Sequence, residues 1–304
     1  MFTFSLTSTV TGQNIAPSSV ETPEATILHA IELMQEQSYR FTGETLSRSQ
    51  LTIADNTPNN SVSIYTVAGI VKPGGDRQLN IKMFFGNDAL LALLKQPLIV
   101  DLIRLDGEQY INIISSIDYM EFVEPGWERY DDIISQYENP GSKVLLDYGV
   151  NYPVPFERKT LNELDKTVTE LAPETIGGVS MRVFDVKINM TLDTLKIMMA
   201  QAQVDGTEAQ RQAYIQDYFS KNGDLIDLTR FSSEYRLWIS ADDGLPRRGV
   251  ATTHAFYPNM TSTDGADDPH PLTYDIEQES TGSFKIIRYG VDQAITAPEV
   301  VKTP

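Results

Sequence analysis

Residues 22–46 carry two successive hydrophobic periods. Ile27, Leu28, Ile31 and Met34 recur at helical spacing, with Ala30 and Leu33 widening the stripe, so an amphipathic helix is predicted to run to about Gln37. Thr22 suits its N-cap, Pro23 its first position and Glu24 the positive end of its dipole. From Ser38 the period falls to two: Tyr39 and Phe41 face one way, and Arg40, Thr42 and Glu44 the other. Residues 62–71 read as a second strand ending in the turn Lys72-Pro-Gly-Gly-Asp76, after which Leu79, Ile81, Met83 and Phe85 alternate with Asn80 and Lys82. A short apolar helix is expected at 89–94, then a hairpin of residues 98–105 and 110–114 across Asp106-Gly107. Connections this short cannot make parallel crossovers, so the pattern predicts an antiparallel meander.

Residues 119–175 break the rhythm. They hold Trp127, Tyr119, Tyr130, Tyr137 and Tyr148 among several Pro and Gly, and Thr160 with Glu163 reads as a capping box. The helix it would open places Leu161, Leu164, Val168 and Leu171 on its apolar side. This region is expected to be a helical crossing segment packed against the sheet. After Gly177-Gly178, alternation resumes with Phe184, Val186 and Ile188 on one face. Two helices follow. One starts near Thr191 and carries Leu192, Leu195, Ile197, Met198 and Met199; the other opens at Thr207 and runs to about Tyr218. The runs Tyr235 to Ile239 and Val250 to Tyr257 flank Asp242-Asp243-Gly244-Leu245-Pro246, a hairpin with one wet and one dry face. Residues 272–276 and 284–289 read as two closing strands.

Charge narrows the partners. With 24 basic and 42 acidic residues the formal charge is −18, which argues against nucleic acid and against a basic patch docking on an anionic membrane. There is no cysteine, which leaves no disulfide, thiolate ligand or lipid-modified cysteine in the chain given. No apolar run reaches the roughly 18 residues of a membrane span, and Met1-Phe-Thr-Phe-Ser-Leu6 does not read as a signal peptide. No nucleophile elbow, phosphate loop or dinucleotide fingerprint is present, so no catalytic residue, enzyme activity or cofactor is assigned. The one candidate metal loop is Asp264, Asp267 and Asp268, whose oxygens could hold Ca²⁺ although the spacing departs from the EF-hand.

The ordered motifs resemble the LolA/LppX/LprG class of bacterial envelope lipoproteins. The stretch Thr22-Pro-Glu through Ser38-Tyr-Arg-Phe41 looks like their opening helix and first strand, and Gln109-Tyr-Ile-Asn-Ile113 like an early strand. Ile176-Gly-Gly-Val through Ile188, then Leu192-Asp-Thr-Leu195, resembles their strand-then-helix passage. Trp238-Ile239 with Leu245-Pro-Arg-Arg248 resembles their late hairpin, and Tyr289-Gly through Ala297-Pro298 their closing segment. The missing lipobox cysteine, the long crossing segment and an acidic insertion at 258–271 depart from the pattern.

The resemblance implies an α+β fold: a curved antiparallel sheet forming an open half-barrel, with helices covering the concave face. Residues 1–21 are expected to be a flexible tether, 22–298 a single half-barrel domain and 299–304 a tail. The implied function is non-enzymatic binding or carriage of lipid or acylated lipoprotein outside the cytoplasmic membrane. Export signal and anchor would then lie outside this chain, with other envelope proteins as further partners. Candidate lining residues on the strands are Tyr39, Phe41, Ile81, Met83, Phe85, Phe184, Val186, Ile188, Leu237 and Ile239, and on the helices Ile31, Met34, Leu195, Met198 and Met199. The same residues would equally fill an ordinary core. That leaves two alternatives: an envelope interaction or sensor protein with a filled core, and a metal binder or hydrolase built on the acidic loop.

Overall fold

Alternation of period two governs the structure, a computed structural model that describes residues 21–53, 58–86, 97–114, 126–132, 163–202, 208–261 and 273–300. The strands of the first half are β1 (Tyr39–Ile53), β2 (Asn59–Val71), β3 (Arg77–Gly86), β4 (Leu98–Leu105), β5 (Glu108–Ile114) and β6 (Trp127–Arg129). Those of the second are β7 (Lys166–Ile176), β8 (Val179–Ile188), β9 (Ser232–Ser240), β10 (Pro246–Thr261) and β11 (Thr273–Tyr289). All join one sheet in the order β6-β5-β4-β3-β2-β1-β11-β10-β9-β8-β7, every neighbouring pair antiparallel. The first half meanders outward from the centre, and the second returns from the far edge. β1 and β11, distant in sequence, pair from Tyr39↔Tyr289 to Ile53↔Tyr274 and close the centre. The sheet does not close on itself; it is an open half-barrel whose edges are β6 and β7.

Turn chemistry fixes the register. Asp106 and Gly107 both take positive φ, 53° and 85°, as a two-residue hairpin of right-handed twist requires. Gly177 and Gly178 do the same between β7 and β8, at 58° and 84°. Helix α1 (Pro23–Gln35) starts as predicted, with the Thr22 hydroxyl accepting from the Ala25 amide at 3.2 Å. Helices α2 (Leu192–Ala202) and α3 (Glu208–Asn222) lie between β8 and β9 in sequence. Thr26, Ile27, Ala30, Ile31 and Met34 are the buried face of α1. They meet the inward residues of β1 to β5, β8 and β9 in one apolar cluster, and this is the concave, helix-covered face.

Three expectations need correction. The helix expected to open at Thr160 does not reach Val168 and Leu171: Glu163 is helical, but Lys166–Ile176 is strand β7, with both residues inside it. Thr167, Val168 and Thr169 are β-branched and fit a pleated surface, and the Gly-Gly turn returns the chain onto β8. The 119–175 region is not merely packed on the sheet, because β6 and β7 supply both of its edges. The two closing strands expected at 272–276 and 284–289 are one strand of 17 residues, β11. Its middle, Glu277 to Ser283, is polar on both faces, so the pairing continues where the hydrophobic signal lapses. The helix expected at 89–94, the tether 1–20 and the metal candidates Asp264, Asp267 and Asp268 lie outside the described residues.

Candidate functional site

The concave face divides into an apolar half and a hydroxyl-bearing half. In the apolar half, Tyr39 and Phe41 of β1, Ile81 and Met83 of β3, Phe184, Val186 and Ile188 of β8, and Leu237 and Ile239 of β9 belong to one cluster with Ile31 and Met34 of α1. Register explains the meeting: Phe184 opposes Leu237, and Val186 opposes Tyr235. Met198 of α2 packs against the same cluster, half-buried. Leu195 is buried instead with Phe231 and Ala255, and Met199 with Ile215 and Tyr218 of α3, so α2 spreads its apolar side chains over three groups. The Phe85 side chain lies outside the described set.

Sequence reading missed Leu79 and the contribution of β4 and β5 to the cluster. Leu79, Leu98, Val100, Leu102, Ile111 and Ile113 complete the cluster. Their alternation was visible, but no local signal tells which face of one hairpin continues the face of another. Tyr130, just after β6, packs on the cluster too, and its hydroxyl is buried with no hydrogen-bond partner among the described residues. A buried hydroxyl without a partner costs about 1–3 kcal/mol, which an acceptor brought to it would relieve.

Further along the same face the inward residues turn polar. Ser280 of β11 donates to Ser47 of β1 at 2.8 Å, and Gln278 donates to Ser47 at 3.0 Å. Ser233 of β9 and Thr253 of β10 share a hydrogen bond of 3.2 Å. Thr253 opposes Ser280, so these hydroxyls form a row across the central strands. An amphipathic concavity of this kind suits a ligand with an apolar body and a neutral polar end.

Helix α1 straps the apolar half. It touches β7 and β10 on one arm and the turn Pro73–Gly75 on the other. Its N-terminal end is held by the Glu24 carboxylate, 2.7 Å from the Lys166 ammonium of β7. Lys166 has 8% of its side chain exposed and Glu24 48%, so the lysine is the member that depends on the pair. Burial pushes the phenol of Tyr39, at the base of the strap, above the usual tyrosine range; the Arg77 charge opposes this and is the smaller effect. The phenol of Tyr289, opposite Tyr39 on β11, is raised by burial as well, and its hydroxyl donates to the Pro246 carbonyl at 2.5 Å.

Among the described residues no group of acidic or histidine side chains could hold a metal ion. No helix among them is long and apolar enough to cross a membrane.

In sequence the chain matches no family model and no curated protein. Among solved structures it is similar to LprF from Mycobacterium bovis, at 11% identity and a TM-score of 0.37, covering 91% of this chain and 98% of that one. It is similar to the lipoprotein LppX of Mycobacterium tuberculosis at 10% identity and a TM-score of 0.37, covering 91% and 100%. A LolA superfamily protein from Nitrosomonas europaea aligns at 9% identity and a TM-score of 0.21, covering 90% and 95%. Superpositions this loose transfer no residue role and no ligand, so the functional reading rests on this chain's own geometry.

Proposed function

We propose that the protein binds the acyl chains of a lipid or lipoprotein against the apolar half of its concave face, outside the cytoplasmic membrane, without catalysing a reaction. The observation that carries this reading is the strap. A cluster extending over both arms of an open sheet is bridged by one helix of 13 residues, whose N-terminal end is held by the Glu24–Lys166 ion pair. When α1 swings away, acyl chains can replace Ile27, Ile31 and Met34 over the same sheet residues. Each buried methylene contributes about 0.8 kcal/mol, so long chains offset the loss of helix packing. The buried Tyr130 hydroxyl and the Ser47–Ser280 row supply polar groups at the boundary.

The test is uptake of a fluorescent fatty acid or phospholipid by delipidated protein, with organic extraction and native mass spectrometry of protein from its own host. Saturable uptake that accelerates in Glu24→Gln supports the strap. Protein that neither carries extractable lipid nor takes up either probe would sink the reading.

The second reading, a filled core in an envelope interaction protein, is favoured by the tight packing of Ile81 and Phe184, both 0% exposed. It predicts no uptake and an unchanged melting temperature in the presence of lipid.

A further inference from the structure

The outer face of the sheet, opposite the helices, treats charge differently in two places. Between β8 and β9 the opposed residues are complementary. Arg236 donates to both Asp185 oxygens at 2.6 and 2.8 Å, and Lys187 lies 3.6 Å from Glu234. Opposite charges in facing positions stabilise a sheet, whereas like charges in facing positions destabilise it. Between β10 and β11 that rule is broken, because Arg248 directly faces Lys285.

The two rows around this like-charged pair enclose a hollow of about 530 Å³. Lys285 faces Thr42 of β1, which faces Ala68 of β2 and then Asn80 of β3; in the next row Ser283 faces Glu44, Thr66 and Lys82 in turn. Thr42, Thr66, Ala68 and Ser283 are short and make a floor, while Lys82, Lys285, Arg248 and Glu44 are long and make a rim. Lys82 and Lys285 make no ion pair with any described carboxylate. Arg248 makes none either; its guanidinium lies over the Trp238 ring, 4.9 Å from the centroid. Among the described residues that line the hollow, three cations stand against one carboxylate, Glu44, in a chain of net charge −18.

We propose that this hollow binds a phosphate group, carried either by a soluble phosphate compound or by a lipid headgroup. Three cations against one carboxylate leave a rim of net charge about +2, which a doubly charged phosphate neutralises and a single carboxylate does not. Arg248 offers a planar fork that matches two phosphate oxygens, and Lys82 and Lys285 act as point charges. The Thr42, Thr66 and Ser283 hydroxyls line the floor as further donors. One N–H of the Asn80 amide donates to Asp101 at 2.7 Å. The volume leaves room for a substituent on the phosphate. The hollow is on the face opposite the apolar cluster, so it stands whether or not acyl chains bind there.

The test uses the full chain in low-salt buffer. Inorganic phosphate is titrated calorimetrically, and phosphatidylcholine vesicles with and without phosphatidic acid are tested by flotation. Binding is expected to weaken about threefold to fivefold in Lys285→Gln, to tighten by a similar factor in Glu44→Gln and to be unchanged in Lys187→Gln, whose ammonium already has Glu234. All three positions are on the surface, and circular dichroism checks their folding. Binding of inorganic phosphate without flotation identifies a soluble source; Lys285-dependent flotation only with phosphatidic acid identifies a headgroup, which must also overcome repulsion from the net charge. The proposal is overturned if neither probe binds, or if Lys285→Gln and Glu44→Gln both leave binding unchanged.

Discussion

Phe284 shows how one side chain can depend on a residue that has none. It stands on β11 between Gly43 of β1 and Gly249 of β10, facing both across the ladder. A Cβ at Gly249 would sit 1.9 Å from Cε1 of the Phe284 ring, so the ring occupies the space that the glycine leaves open. Phe284 is buried and part of the concave cluster, so moving it disturbs the apolar half. Gly249→Ala is expected to destabilise the protein by about 1–3 kcal/mol, the usual cost of overpacking. In a Phe284→Ala background the same substitution should cost almost nothing, since the clashing ring is gone. Urea midpoints for the four proteins of this cycle decide it; equal costs in both backgrounds would show that something other than the ring requires glycine. The sequence carries both residues in plain view, yet nothing local pairs them, because the contact depends on the register of strands that are not joined by one turn.

At the scale of elements, α1 is the part whose behaviour function depends on. Replacing Glu24 by Gln leaves the Lys166 ammonium buried beside a neutral amide, and replacing Thr22 by Ala removes the cap on Ala25. Each change is expected to cost about 1 kcal/mol, the Glu24 figure held down by the exposure of its carboxylate. Hydrogen exchange should quicken in residues 23–35 while the β1–β11 ladder keeps its protection; equal loss in both would mean that α1 is not a separable strap. This helix was legible in the sequence because its stripe, its cap and its first-turn proline agree. The β4–β5 and β9–β10 hairpins were legible for a similar reason, in that Asp106-Gly107 and Asp243-Gly244 announce their turns between alternating runs. β7 was not, because Leu164, Val168 and Leu171 continue a helical stripe behind the capping-box pattern of Thr160 and Glu163. The middle of β11 was not, because its inward residues Gln278 and Ser280 bond to Ser47 rather than to an apolar core. The strand residues Tyr39, Phe41, Ile81, Met83, Phe184, Val186, Ile188, Leu237 and Ile239 share one buried cluster because their selection rested on short-range alternation, which says nothing of a ligand. The spread of the cluster onto β4 and β5, and the split of α2 between three groups, depend on tertiary placement that alternation does not encode.

At the scale of the whole molecule, β1 and β11 join the two arms, and their first pair, Tyr39 and Tyr289, has its rings 6.0 Å apart. Burial raises both phenols above the ordinary tyrosine value near 10, and raises Tyr218, which donates to the Pro258 carbonyl at 2.9 Å, in the same direction. A group whose folded value is raised binds its proton more tightly in the native state. Its contribution is therefore complete below pH of about 10 and is lost as pH climbs toward the folded value. The acidic composition works in the same direction, because a chain already at −18 repels itself more as lysines and tyrosines give up protons. Salt separates the two effects. Repulsion between surface charges is screened at high ionic strength, whereas the cost of ionising a buried phenol is not. Urea unfolding is therefore expected to show stability falling steeply above pH of about 10 in low salt, with only part of the loss recovered by added salt. Replacing Tyr39 by Phe should remove a share of what remains, because the ring stays and the ionisable hydroxyl goes. Full recovery in salt would instead assign alkaline instability to surface charge, and the buried tyrosines would then have no part in holding the arms together.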